Sequence, residues 1–535
     1  MRPVTLGIAC ALGSLAALNG CMVGPDYERP PVATPAAYKE QGIWKVGRPQ
    51  GTASPGAWWS IYHEPLLDGL EHQIDIDNQT LKAAEASYRD AIAVVAQARA
   101  GLFPTITATP SERSSKGVTT STAGSAGISS TSGGTATVPT SSVSGGGSAV
   151  RSLYSMSAAL SWNIDVWGQT RRLIEGDVAS AQASAANLAA ARLSAQGALA
   201  TAYFELRVQD ELKRLLDNSA AAYARSLQIV QNQYASGVAA RSDVAQAEAQ
   251  LKSTQAQAIN TGEQRAQLEH AIAVLVGLPP ASLSIDPEPF DIVTPPVPDS
   301  VPSTLLERRP DIAAAERQMA AANAQIGVAT AAFFPSLSLS ASVGYSGSVL
   351  NRLFEAPNQF WSVGPSLAET LFEGGTRNAQ LQEARALYDQ SVANYRQTVL
   401  TSFQQVEDEL AALGVLAQQI TVQGEAYKAA SEAERLIFNQ YRAGTVPYTS
   451  VVVAQTAALS DAVTLLTARE ASLVASVALL QALGGDWDVK QLPGRDKIDV
   501  LDPRMLLPIP IGAEPAAPAP AAPTPSATPA APTKP

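Results

Sequence analysis

From Tyr154 to Asp165 the chain alternates with a period of two. Tyr154, Met156, Ala158, Leu160, Trp162 and Ile164 fall on one side, and Ser155, Ser157, Ala159, Ser161, Asn163 and Asp165 on the other. Successive strand side chains point to opposite faces, so this pattern predicts a strand with one apolar and one mostly polar face. Leu337, Leu339, Ala341, Val343 and Tyr345 do the same against Ser338, Ser340, Ser342 and Ser346. Shorter versions surround Ile106 and Ala108, and Trp361, Val363, Pro365 and Leu367. Four strands are expected, at about 104–112, 153–165, 335–345 and 360–370. Aromatic residues bracket them: Phe103, Trp162, Trp167, Phe333, Phe334 and Phe372 at one end, Tyr154, Tyr345, Phe360 and Trp361 at the other. An alternating band between two aromatic belts suits a transmembrane β-barrel wall, although a half-buried soluble sheet would alternate in the same way. Four strands cannot close a barrel, since the smallest use about eight, and open edges in lipid leave backbone groups unsatisfied. A membrane wall made of these strands therefore needs several chains.

The remainder reads as helix. No proline occurs between Trp167 and Leu278 or between Ser366 and Val446, and both stretches are rich in Ala, Gln, Leu and Glu. Long helices are expected over 168–234 and 374–441, with return helices over 242–276 and 449–483. At 1.5 Å per residue the first would be about 100 Å long, beyond any ordinary domain. Gly237 and Gly444 suit the ends of the outgoing helices, and Ser242 and Thr449 the N-caps of the return helices. The high Ala content allows close approach on more than one side, as in a closed ring of helices.

Landmarks recur along the chain. Asn232-Gln233-Tyr234-Ala235-Ser236-Gly237 returns as Asn439-Gln440-Tyr441-Arg442-Ala443-Gly444, an offset of 441 − 234 = 207. Gly168 and Arg171 match Gly374 and Arg377 (374 − 168 = 206), and Phe103-Pro104 matches Phe334-Pro335 (334 − 103 = 231). The difference in offset, 231 − 206 = 25, marks an insertion in the first copy between Pro104 and Gly168. There the stretch 114–148 is almost entirely Ser, Thr and Gly and reads as a flexible loop. The organisation expected is a signal peptide (1–20), an extended N-terminal segment (21–65), a first repeat (66–280), a linker (281–300), a second repeat (301–487) and a C-terminal segment with a Pro/Ala tail (488–535).

The N-terminus adds a location. Arg2 precedes the apolar run Val4 to Leu18, too short for a permanent membrane helix, and Leu18-Asn19-Gly20-Cys21 resembles a bacterial lipobox. Cys21 would then carry the acyl chains that tether the mature N-terminus to a leaflet. Met22 follows it, where an Asp would resemble an inner-membrane retention signal, so the outer membrane is favoured.

Composition mainly excludes. Lys+Arg 37 against Asp+Glu 48 gives −11, which argues against a nucleic-acid partner. Cys10 and Cys21 both lie in the leader region and His63, His72 and His270 are scattered, so no metal cage, disulfide scaffold or hydrolytic triad is expected. No nucleotide loop, HExxH or G-x-S-x-G is present, so neither enzyme chemistry nor a cofactor is expected. A polar, acidic lumen, with Asp165 among its residues, would bias passage toward cations.

Val23-Gly24-Pro25-Asp26-Tyr27, Trp58-Trp59, Glu307-Arg308-Arg309-Pro310-Asp311-Ile312-Ala313-Ala314-Ala315-Glu316 and Ala331-Ala332-Phe333-Phe334-Pro335-Ser336-Leu337 together resemble the outer-membrane efflux lipoproteins of the outer membrane factor family. The resemblance spans nearly the whole mature chain except the Pro/Ala tail. It implies an α+β membrane protein: a homotrimer with a 12-stranded transmembrane β-barrel, four strands per chain, continued by a long periplasmic α-helical barrel of coiled-coil hairpins. It also implies docking to a periplasmic adaptor and an inner-membrane pump, commonly of the resistance-nodulation-division type. In the family the turns 235–242 and 442–449 close the tunnel. Arg241, Asp243, Arg442, Tyr448 and Ser450 are the gate candidates carried over, with Ser450 standing where many relatives have Asp. A protein-secretion duct and, from a different class, a lipid-anchored coiled-coil scaffold are the alternatives.

Overall fold

Alternation in the chain becomes a four-stranded antiparallel sheet. The computed structural model describes residues 22–32, 35, 38–39, 57–117, 149–290, 292–295 and 305–499; the leader, Cys21, most of the Ser/Thr/Gly stretch and the Pro/Ala tail lie outside them. Strands β1 (Thr105–Gly117), β2 (Ala149–Ile164), β3 (Ser336–Gly347) and β4 (Gln359–Ala368) pair in chain order. The register matches like with like. Ile106 stands opposite Leu160, Leu160 opposite Ala341 and Ala341 opposite Val363, while Ser161 lies between Thr105 and Ser340. A one-residue slip would scramble both faces, so the two-sided pattern fixes the register. The strands run further into the Ser/Thr stretch than the sequence suggests: Ser114 to Gly117 are strand, not loop. Serine pairs bridge the two strands there, Ser111 to Ser155 on the polar face at 2.7 Å and Ser114 to Ser152 on the opposite face at 3.4 Å. Low hydropathy hid this segment, because hydroxyls can satisfy one another across strands.

Helices account for most of the rest. Pro65–Asp77 (α1) and Gln79–Ala100 (α2) precede the sheet, and Gln169–Ala235 (α3) and Arg241–Leu275 (α4) follow β2. After a linker come Pro310–Ala331 (α5), then β3 and β4, then Thr376–Arg442 (α6) and Tyr448–Ala482 (α7). Lengths recur: α2 and α5 have 22 residues, α3 and α6 have 67, α4 and α7 have 35. Sixty-seven residues at 1.5 Å rise reach about 100 Å. Helix α7 packs on both α6 and α3, joining the two hairpins.

The main core lies about halfway along the long helices. Trp58, Trp59 and Tyr62, on a short 3-10 turn, pack with Leu67, Leu70 and Ile74 of α1, Leu199 to Leu206 of α3, Ile272 of α4 and Leu473 and Val477 of α7. Burial of such large side chains contributes roughly 1.5–3 kcal/mol each, so this cluster anchors both hairpins at once. Residues 22–32 lie across the upper helices. The nearly buried Arg172 donates to the carbonyls of Val23 and Gly24, each at 3.2 Å, and pairs with Asp26 at 2.7 Å. Tyr27 donates to Glu316 at 2.5 Å, which together with burial raises its phenol pKa.

Candidate functional site

Two regions are distinctive, the outer face of the sheet and the far tips of the hairpins. On the sheet, Ile106, Trp361, Val363 and Leu367 are exposed on the apolar face, Trp361 at 73%. Soluble monomers rarely present so continuous an apolar surface. Both edge strands, β1 and β4, have a partner on one side only. At the helix-facing end, Trp162 donates to the Leu102 carbonyl at 3.0 Å, Trp167 donates to Pro335 at 2.8 Å, and Trp167 stacks on Phe334 at 4.9 Å. The belt residue Phe360 departs from expectation. It stands opposite Gly344 in the row that contains Thr109 and Ser157, on the polar face, because its neighbour Trp361 takes the apolar one.

Asp165 also departs from its expected role as a lumen charge. Its carboxylate accepts from the Arg171 backbone at 3.0 Å and from Arg171 Nε at 3.3 Å, and its side chain is only 8% exposed. Glu373 holds Arg377 in the same way, at 2.9 Å through the backbone and 3.2 Å through Nε. Each carboxylate secures a strand-to-helix corner, with its charge compensated locally.

At the tips, Gly237 and Gly444 take positive φ of 78° and 76°. Helix α3 ends with Gly237 N–H bonded to Tyr234 and Val238 N–H to Gln233, and α6 ends with the equivalent bonds to Tyr441 and Gln440. Only residues without a Cβ penalty adopt this turn readily. The return helices are capped two residues earlier than the sequence suggests. Ala240 and Pro447 occupy the N-cap positions, so Ser242 and Thr449 lie inside the helices. Asp243 supplies the cap from within, its carboxylate accepting from the Ala240 N–H at 3.4 Å, where the helix dipole favours negative charge.

Of the other gate candidates, Tyr448 is buried against Val230, Ala247, Tyr441 and Val451. Its ring meets Tyr441 edge-on at 5.2 Å. Burial, reinforced by Tyr441, Tyr223 and Asp243, pushes the Tyr448 phenol up to about 12. Ser450 is half-buried and its N–H bonds to the Pro447 carbonyl at 3.1 Å. Arg241 and Arg442 are exposed, and neither has a hydrogen-bonding or ionic partner among the described residues. Sequence reasoning missed the residues that join the hairpins. Tyr441 donates to Gln233 at 2.5 Å, Tyr223 donates to the Gln455 carbonyl at 3.1 Å, and Gln455 donates to Ser226 at 3.4 Å. The pairing of Gln233 with Tyr441 had no local signal, because both copies carry the same Asn-Gln-Tyr. Neutral phenols and amides thus supply the hydrogen bonds between the hairpins.

A sheet with one apolar face and open edges, set on helices about 100 Å long, fits a subunit of an outer-membrane channel. The profile of the outer membrane efflux protein family matches residues 70–278 and 301–485, and the chain belongs to this family. It is therefore an outer-membrane transport protein and not an enzyme. Among curated relatives it is 28% identical over 473 residues to the probable efflux pump outer membrane protein TtgC of Pseudomonas putida, covering 88% of this chain and 93% of that protein. It is 29% identical over 504 residues to outer membrane protein OprJ of Pseudomonas aeruginosa, covering 91% and 97%. Among solved structures, the outer-membrane channel OprN superposes with a TM-score of 0.77 at 28% identity, covering 87% of this chain and 99% of that one. The Campylobacter jejuni CmeC channel shares the fold, with a TM-score of 0.78 at 20% identity over 88% and 96%.

Proposed function

We propose that the chain is the exit channel of a tripartite efflux pump. It passively conducts small molecules delivered by an inner-membrane transporter of the resistance-nodulation-division type and a periplasmic adaptor. The observation that carries this reading is the open-edged sheet with one continuous apolar face. Three copies joined edge to edge would give 12 strands, satisfy every edge group and turn the apolar rows toward lipid. The doubled helix lengths support an internal duplication, so that three chains would supply six hairpins to the tunnel. Cys21, acylated, would add a lipid anchor. In this assembly the hairpin tips form the gate, and Arg241 and Arg442 are placed to meet acceptors on a neighbouring copy. Relatives named for toluene and antibiotic efflux favour apolar or amphiphilic small molecules as cargo over secreted protein.

Electron microscopy of the detergent-purified mature protein tests the assembly. Threefold particles with a short collar and a tube about 100 Å long are expected from the helix rise. Slender monomers or dimers without a collar would remove the membrane wall and leave a lipid-anchored scaffold.

A further inference from the structure

The same contact ties the end of each return helix to the middle of the molecule. Asn78 is the N-cap of α2: its Oδ1 accepts from the Leu81 N–H at 3.0 Å, and its Nδ2 donates to the carbonyl of Leu275, the last residue of α4, at 2.7 Å. Arg309 is the N-cap of α5 and donates through Nη1 to the carbonyl of Ala482, the last residue of α7, at 2.8 Å. The positions follow the two sequence offsets, 309 − 78 = 231 and 482 − 275 = 207. Two residues beyond each carbonyl, Gly277 and Gly484 take positive φ, and a Cβ on either would overlap the carbonyl of Asp77 or Arg308. Carbonyls in the last helical turn have no partner within their own helix, so each buried side chain satisfies a group that would otherwise be orphaned.

The two joints differ in strength. Asn78 makes one neutral bond to α4. Arg309 is a charged fork that grips three elements. It holds α7 through Ala482, α6 through Gln405 at 2.9 Å, and the first turn of α5 through Asp311 at 3.0 and 2.6 Å. Gln481 adds a bond from the end of α7 to the Leu193 carbonyl of α3 at 3.1 Å. The end of α7 is thus fixed against α3, α5 and α6 together. From this joint α7 runs 35 residues to the tip. That is an arm of about 50 Å, on which a rotation of about 5° displaces the tip by about 4 Å.

We propose that Asn78 and Arg309 are positioning residues of the gate: paired anchors that set the angle of the return helices and so hold the distant tips in register, with Arg309 the stronger. This rests on reading the tips as the gate. The fork geometry, and not charge alone, is what the joint uses, since a lysine cannot reach Ala482, Gln405 and Asp311 together.

The test uses the full mature protein with spin labels at the exposed tip positions Val238 and Thr445, with and without Arg309→Lys, read beside single-channel current and thermal melting. Arg309→Lys is expected to shift or broaden the tip-to-tip distance by about 4 Å and raise resting current severalfold, with Asn78→Ala giving the smaller shift. Unchanged tip distances in Arg309→Lys would overturn the anchor role. Shifted distances with unchanged current would support the anchor and overturn the reading of the tips as a gate. Should Arg309→Lys fail to assemble, Gln405→Ala removes only the α6 arm of the joint, and unchanged tip distances in that variant would likewise overturn the proposal.

Discussion

Glu71 is 0% exposed on α1, and neither of its carboxylate oxygens has a hydrogen-bond partner among the described residues. Burial, with Asp75 and Asp68 nearby on the same helix, raises its pKa to about 9. A carboxyl whose folded pKa lies above its unfolded value is neutral in both states at low pH and carries no ionisation cost there, only the smaller one of its unpartnered oxygens. The cost grows as pH climbs from the unfolded value to the folded one. Glu71→Met is therefore expected to stabilise the protein by on the order of 3 kcal/mol near pH 7.5. The difference between the melting curves of the two proteins should shrink toward pH 4. A parallel offset at all pH values would show that the gain is packing and not ionisation. Glycines make a second contrast at this scale. Gly237→Ala at a tip faces open space and pays only for positive φ, about 1–2 kcal/mol. Gly484→Ala must also push back the Arg308 carbonyl, so its melting temperature is expected to fall clearly further.

Among the elements, the strands and tips make separable claims. Val363 and Ser362 are neighbours on β4 with opposite faces, Val363 in the apolar row with Ala341 and Ser362 bonded to Ser342 at 2.8 Å. In a membrane wall, Val363→Arg costs about 2–4 kcal/mol at mid-depth, whereas Ser362→Arg faces the lumen and is tolerated. The readout is the amount of each variant recovered in outer-membrane fractions, and equal recovery would argue that the apolar face does not meet lipid. At the tips, Tyr441→Phe removes the bond to Gln233 and keeps the ring against Tyr448, a loss of about 1 kcal/mol. Resting conductance is expected to rise, while Tyr234→Phe, at the matching position of the first hairpin, leaves it unchanged. Asp243→Ala combined with Arg442→Ala should also raise it, and an unchanged closed state would sink the gate assignment.

For the whole molecule, the sheet ends in two open edges and α4 and α7 are covered unequally. Seven residues of α4 are buried against sixteen of α7. The single chain thus leaves one helix of each hairpin partly bare, α4 in the first and α6, with nine buried residues against twenty-four in α3, in the second, the condition expected of a subunit that completes itself against copies. Concentration-dependent melting of the detergent-solubilised protein is the expected signature, since association stabilises by mass action. A melting temperature independent of concentration would indicate a self-sufficient chain.

How much of this is written locally differs by feature. Periodicity and the absence of proline fixed the four strands and the long helices, because backbone geometry couples each side chain's direction to its near neighbours in sequence. The tip turns were legible for the same reason, since Gly237 and Gly444 meet a conformational demand that spans only a few residues. Tyr234 and Tyr441 show the limit. Each ends the sequence Asn-Gln-Tyr, yet Tyr234 is 47% exposed and Tyr441 is 7% exposed. The burial of Tyr441 depends on α3 and α7 arriving from elsewhere in the chain, as the bond from Arg309 to Ala482 depends on α7. By itself the sequence determined the elements, their order and their two-faced character. Only the tertiary structure decided which of two equivalent residues is buried and which carbonyl each capping side chain holds, because those choices depend on packing between segments hundreds of residues apart.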